Sequence, residues 1–217
     1  MGRVLLYFVT ISVLWVLVYR FVPPPITLTM MGDVFAEGSV TKDWMGLSDI
    51  SPNMARAVIA AEDAKFCAHG GFDREAIAKA VKHNNRGGHI RGGSTISQQT
   101  AKNVFLWQGG GYFRKALEAW YTLLIENIWG KRRIMEVYLN VAETGIATYG
   151  VNAGSIRYFG HDAGEMTTLE AARLAAILPL PKKRDAAAPQ GYTRRYGNRI
   201  RARTGVVKRD ALDFCLD

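Results

Sequence analysis

From Val4 to Tyr19 the chain reads VLLYFVTISVLWVLVY without a single charge, and after Arg20, Phe21 and Val22 it meets Pro23, Pro24 and Pro25. With Arg20 reaching up to the headgroups, this run approaches the ~20 apolar residues a spanning helix needs. Eleven Val, Leu, Ile and Phe side chains between Val4 and Val18 favour insertion by about 5 kcal/mol in sum. The run is long for a cleaved leader and no small-x-small site precedes the prolines, so the reading is an uncleaved anchor over 4–22. Arg3 and Arg20 flank it almost symmetrically, so charge does not set its orientation. The rest of the chain must fold at a membrane surface.

That remainder is long enough for one domain with a real core. Its charge narrows the partners: 28 Lys and Arg stand against 19 Asp and Glu, a formal +9. Much of the excess lies between Lys182 and Arg209 and around Lys131, Arg132 and Arg133. Such a balance attracts polyanions, and beside an anchor it points to lipid headgroups and phosphorylated lipid-linked substrates rather than nucleic acid. Cys67 and Cys215 are far apart and in no ligand-like spacing, so neither a disulfide framework nor a Cys zinc site is expected; two isolated thiols are the favoured reading, with a pair formed in an oxidising compartment as the alternative.

The tripeptide of prolines stops the first helix. Residues 26–49 show no sustained period and read as a juxtamembrane connector with a short strand at Ile26–Thr29. Ser51 and Pro52 read as N-cap and first position of a helix running toward Phe66. Asp73 caps a second, with Ala76, Ile77, Ala80 and Val81 on one face, expected to end at Arg86-Gly87-Gly88. A Gly- and Arg-rich loop over 86–93 precedes a capping box of Thr95 and Gln98. Further helices are expected at about 112–129, 131–141, 151–159, 168–178 (opened by Thr167 and Glu170) and 192–209. Strand-like alternation is scarce, so the fold class is mainly α.

Four segments can carry chemistry. In EDAKFCAHGG, Ala55, Ile59, Glu62 and Phe66 share a helical face, so Glu62 is either a solvated edge residue or a partly desolvated base. GGSTISQQ, residues 92–99, followed by Lys102 and Asn103, leaves backbone N–H groups free at a helix start, where phosphate oxygens are accepted. Arg114 and Glu118 lie at i and i+4, the less favourable order for a purely structural pair. Lys131 leads a basic start to Glu136 and Asn140 on one face. Ser39 and Lys42 fit Ser-x-x-Lys but lack a Lys-Thr-Gly partner and read as coincidence.

Taken in order, Glu-Asp-x-x-Phe-x-x-His-x-Gly at 62–71, Gly-Gly-Ser-Thr-Ile-x-Gln-Gln at 92–99, Arg-Lys-x-x-Glu at 114–118, Lys-x-x-Ile-x-Glu-x-Tyr-Leu-Asn at 131–140 and Arg173 through Leu178-Pro179-Leu180-Pro181 resemble the peptidoglycan glycosyltransferases, of the monofunctional type. Ser97 stands where that family usually has Thr, which keeps the hydroxyl. The resemblance implies a lysozyme-like helical domain over 51–217 behind a connector at 23–50, an anchor at 4–22 and a cytoplasmic segment at 1–3, with the domain facing the periplasm. It implies polymerisation of lipid II onto a growing glycan chain, with inversion and release of undecaprenyl pyrophosphate. Glu62 would be the base and Glu118 the second acidic residue. Lys102, Arg114 and Lys115 would stabilise the leaving group, and Ser94, Thr95, Gln98, Gln99, Asn103, Asp63 and His69 would complete the substrate site. Mg²⁺ or Mn²⁺ would bridge pyrophosphate oxygens, with no protein-only cage. Membrane lipid and components of a cell-wall synthesis complex are the further partners implied. A lysozyme-type or lytic hydrolase would also use one Glu, but has no need of the cations at 102, 114 and 115. A non-catalytic basic module would show a continuous basic stripe, whereas acidic residues here alternate with the cations.

Overall fold

The computed structural model describes residues 2–84 and 93–217. Ten α-helices dominate these residues, with one three-stranded sheet of very short strands. The apolar run forms α1 (Gly2–Phe21), long and apolar enough to cross a membrane. It does not stand free. Ser12 and Val16 are buried against helix α6 (Gly111–Ile128) and the residue just past its end. Trp120 Nε1 donates to Ser12 Oγ at 3.1 Å, and Trp129 Nε1 donates to the Val16 carbonyl at 2.7 Å. Trp15 meets the ring of Phe105 edge-on at 5.3 Å. The Arg133 guanidinium donates to the carbonyls of Tyr19 and Val22, the chain's exit from α1.

The connector is not the irregular stretch expected, and Ile26–Thr29 is not a strand. Helix α2 (Leu28–Glu37) begins there because Thr27 caps it, accepting from the Met30 N–H. Gly38, in the left-handed region, closes it. A two-residue strand β1 (Thr41–Lys42) then pairs in parallel with β3 (Thr148–Tyr149), which pairs antiparallel with β2 (Glu143–Gly145). Asn140 ties the segment down: its fully buried side-chain amide accepts from Met45 N–H and donates to the Met45 and Glu136 carbonyls, all at 2.8 Å.

Helix α3 (Pro52–Glu62) is the axle of the core. Met54, Val58 and Ile59 are fully buried, and α3 packs on α9 (Thr168–Ile177) and α10 (Gly191–Arg209). Ala171, Ala172, Ala175, Ala176 and Gly197 let these helices approach closely, since small side chains set a short interaxial distance. Ser51 precedes Pro52 as expected, but its hydroxyl donates to the Met166 carbonyl at 2.9 Å instead of capping α3. Asp73 does cap α4 (Arg74–Asn84), accepting from Ala76 N–H at 2.9 Å. The expected end of that helix at 86–88 and most of the 86–93 loop, Gly92 included, lie outside the described residues. Both capping boxes form, opening α5 (Ile96–Phe105) and α9. The remaining helices, α7 (Lys131–Val141) and α8 (Val151–Phe159), run as their periodicity predicts.

The expectation of isolated thiols fails. Cys67 and Cys215 form a disulfide, their Cα atoms 5.5 Å apart. Spacing carries no information about a pair brought together by the last turn of the chain. Arg56 with Asp213 at 2.7 Å, and Arg132 with the Leu216 carbonyl, hold the same tail. Replacing both cysteines by alanine should lower the free energy of unfolding by about 2–4 kcal/mol, because the bridge closes a loop of well over a hundred residues. Urea unfolding with the cysteines oxidised, compared with the double variant, measures it.

Candidate active site

The site starts where α3 runs out. Glu62 is its last residue and Asp63 its C-cap, so two carboxylates leave the helix in different directions. Asp63 turns inward: it is buried, accepts from the Ile96 N–H at 3.1 Å and meets His69 Nε2 at 2.9 Å. His69 Nδ1 accepts from the Gly71 N–H at 3.2 Å, which leaves the ring proton on Nε2, directed at Asp63. Gly71 has φ of +89°, and a Cβ there would stand 2.8 Å from Thr122. Its carbonyl accepts from Thr95 Oγ1 at 2.6 Å. The segment 63–71 is thereby fastened to the start of α5.

Glu62 remains partly buried on the outer side of this knot, where Gln99 Nε2 donates to Oε2 at 2.9 Å. Gln99 in turn accepts from the Tyr138 hydroxyl through Oε1 at 3.4 Å. Burial pushes the Glu62 carboxyl above the ordinary glutamate range, and the Asp63 charge adds to the rise. The Gln99 hydrogen bond and the charges of Arg184 and Lys102 oppose it without cancelling it.

One helical turn beyond Gln99 stands Lys102. No carboxylate lies within ion-pair distance of it among the described residues, and burial lowers its ammonium below the ordinary lysine range. Glu118 pulls it back, while Arg114 and Lys115 push it further down. These three form one knot on α6. The Glu118 carboxylate, 2 % exposed, receives the Arg114 guanidinium at 2.8 Å on one oxygen and the Lys115 ammonium on the other. Lys115 also reaches Ser94 Oγ at 3.2 Å. A buried carboxylate held between two cations fixes where both point, and leaves the group net positive beside Lys102.

A cleft of about 530 Å³ opens along this row, walled by α2, α5, α7 and the 178–182 turn. Gln99, Lys102 and Asn103 line one side; Asp33, Glu143 and Lys182 line another. Lys182 donates to both Asp33 oxygens at 2.7 and 3.0 Å and stands 3.3 Å from Glu143, while the Tyr149 hydroxyl donates to Asp33 at 2.8 Å. Glu62 reaches the cleft through Gln99, which both lines it and holds the carboxylate.

The sequence-based candidates thus divide. Glu62, Gln99, Lys102 and Asn103 come together at the cleft, and Ser94, Arg114, Lys115 and Glu118 form the adjoining charged cluster. Thr95 and Gln98 are buried in the capping box, and Asp63 and His69 fasten the 63–71 segment; none of the four lines the cleft. Sequence reasoning missed Tyr138, Lys182, Asp33 and Glu143. Tyr138 stood inside a recognised motif, and Lys182 at the head of the basic excess. Nothing in the sequence marks Asp33 or Glu143.

A family model described as Transglycosylase matches residues 30–205. The chain is similar to proteins named biosynthetic peptidoglycan transglycosylase. The match is 52 % identical to one from Caulobacter vibrioides over 201 residues, 93 % of this chain and 88 % of that one. It is 48 % identical to one from Xanthomonas campestris pv. campestris over 213 residues, 95 % and 84 % of the two chains. Against one from Pseudomonas putida it is 46 % identical over 215 residues, 96 % and 88 %.

Proposed function

Because the chain belongs to the transglycosylase family, we propose that it is a peptidoglycan glycosyltransferase of cell-wall synthesis that polymerises a lipid-linked disaccharide, lipid II, into glycan strands. The observation that carries the reading is the meeting, through Gln99, of a carboxylate raised by burial at the end of α3 with a half-buried lysine one turn further along α5 that has no carboxylate partner of its own among the described residues. A transfer from a diphosphate needs both: one group to accept a proton, another to receive a departing anion.

In the proposed reaction the acceptor's C4 hydroxyl attacks the anomeric carbon of the growing chain. Glu62 takes the hydroxyl proton as the new C–O bond forms. The bond from the anomeric carbon to the diphosphate oxygen breaks on the opposite face, so the configuration inverts. The electron pair leaves with the undecaprenyl diphosphate, whose charge Lys102 and the Arg114–Lys115 pair stabilise. Glu118 keeps those two cations in place. Burial raises the affinity of Glu62 for a proton, which makes it a better base at neutral pH than an exposed glutamate.

A divalent cation is implied by the family resemblance. Among the described residues no three His, Cys, Asp or Glu side chains are grouped to hold one, and both Glu118 oxygens are already engaged. No step of the proposed reaction is routed through it.

An anchor docked along α6 suits a substrate whose lipid tail stays in the bilayer. The Cys67–Cys215 disulfide supports placement of the domain on the oxidising, periplasmic side of the membrane, where such bonds form and persist. The direct test is incubation of the full chain in nanodiscs with radiolabelled lipid II. Conversion to polymer that is lost in Glu62→Gln supports the reading; release of free disaccharide or attack on preformed strands would point to a hydrolase instead.

A further inference from the structure

The cations of α10 take no part in the proposed reaction. Nineteen residues, Gly191–Arg209, hold seven Arg and Lys and no Asp or Glu. Among the described residues only Arg209 finds a carboxylate, Asp210, just past the helix end. Arg195, Arg199 and Arg203 recur at i, i+4 and i+8, a column of like charges one turn apart that opposes the helix it stands on. Such a face is stabilised by an anion that binds it.

The column does not lie at random. Tyr192, Tyr196, Arg199 and Arg203 share one flank of α10 by helical spacing. The two tyrosine rings stack with centroids 5.8 Å apart, Arg199 lies over Tyr196 at 5.6 Å and Arg184 over Tyr192 at 5.4 Å. Tyr196 donates to the Ala61 carbonyl at 3.2 Å, so this flank passes one residue from Glu62. The Arg184 charge is felt at Glu62 itself, and Arg184 is held by the Ala176 carbonyl at 2.6 Å. An aromatic and guanidinium stripe therefore passes the base at Tyr196, with Tyr192 and Arg184 on one side of it and Arg199 and Arg203 on the other. Tyr192, 54 % exposed, ends the flank at solvent.

Stacked aromatic faces suit pyranose rings, and guanidinium forks suit carboxylates. We propose that the Tyr192–Tyr196–Arg199–Arg203 flank of α10 is a binding track for an acidic glycan: the polymer strand, whose sugars carry anionic peptide stems. This rests on the proposed polymerase activity for the identity of the strand. The continuity of the stripe with Glu62 favours a strand over an anionic bilayer, because a lipid surface requires no path to the base.

The test is a binding measurement on the full chain in nanodiscs of neutral lipid, with no lipid-linked donor present, so that it does not depend on turnover. The probe is a short, fluorescent, un-crosslinked peptidoglycan strand, alongside the same strand with its carboxylates amidated. Arg199→Gln with Arg203→Gln should bind the acidic strand about tenfold more weakly, as expected for two lost guanidinium–carboxylate contacts. Arg199→Lys with Arg203→Lys should retain most of the affinity, which separates charge recognition from damage to the fold. The amidated strand should bind wild type as poorly as the acidic strand binds the glutamine variant. Equal affinity of wild type and the glutamine variant for the acidic strand overturns the proposal, as does equal binding of both strands to wild type. So does a glutamine variant that loses only its binding to phosphatidylglycerol vesicles, which would assign the face to the bilayer. Failure of the wild-type chain to polymerise lipid II would defeat the proposed function while leaving these affinities readable.

Discussion

Glu62→Gln should cut polymer formation by about 10³-fold, in the range for loss of a positioned general base. Glutamine keeps the size of the side chain and an oxygen able to accept from Gln99 Nε2, so the thermal melting point and binding of lipid II should stay near wild type. The pH profile gives an independent reading. Glu62 must be deprotonated to accept a proton, and burial raises its pKa, so the rate of the wild-type chain should fall with decreasing pH around a midpoint above the ordinary glutamate value of 4.5. A midpoint at or below that value, or near-normal turnover in the variant, removes Glu62 from the role.

Lys102→Ala should cost about 10²–10³-fold in kcat, the typical loss when one preorganised charge is taken from a departing anion. Donor use should suffer more than acceptor use, since only the donor's diphosphate leaves. Here the sign of the pH effect is opposite. Lys102 must stay protonated, and burial lowers its pKa, so wild-type activity should decline on the alkaline side below the ordinary lysine value of 10.5, and the variant should lose that limb. Arg114→Ala is expected to act more mildly, because Lys115 still neutralises Glu118. Equal losses for donor and acceptor would count against this division.

Several elements were legible because their causes are local. Thr95 with Gln98, and Thr167 with Glu170, are capping boxes whose partners lie three residues apart, and both form. The apolar run became a helix because no charge and no proline interrupts it before Arg20. Thr27 was equally available as a cap, but α2 was read as connector because its apolar residues follow no sustained period; the helix is instead held by tertiary contacts, Asp33 to Lys182 and Tyr149 above all. Ser51 looked like a cap and was claimed by Met166, more than a hundred residues away.

The site shows the same divide. Motifs named Glu62, Lys102, Arg114 and Glu118, and spacing placed Arg114 beside Glu118. Spacing could not say that Asp63 turns inward while Glu62 does not, because one residue's difference in direction at a helix end is set by who waits there: Ile96 N–H and His69 for the one, Gln99 for the other. It could not bring Asp33 of the connector or Glu143 of a three-residue strand to the cleft, nor unite Cys67 with Cys215.

Residue order alone determined the long apolar N-terminal helix, the helical periodicity, the two capping boxes and the family, all of which depend on neighbours a few positions apart or on a fixed string of motifs. Only the folded chain decided which carboxylate meets Gln99 beside the cleft, what walls that cleft and which cysteines meet. Those outcomes depend on desolvation and on hydrogen bonds between groups distant in sequence, and neither exists until α3, α5, α6 and α10 have packed.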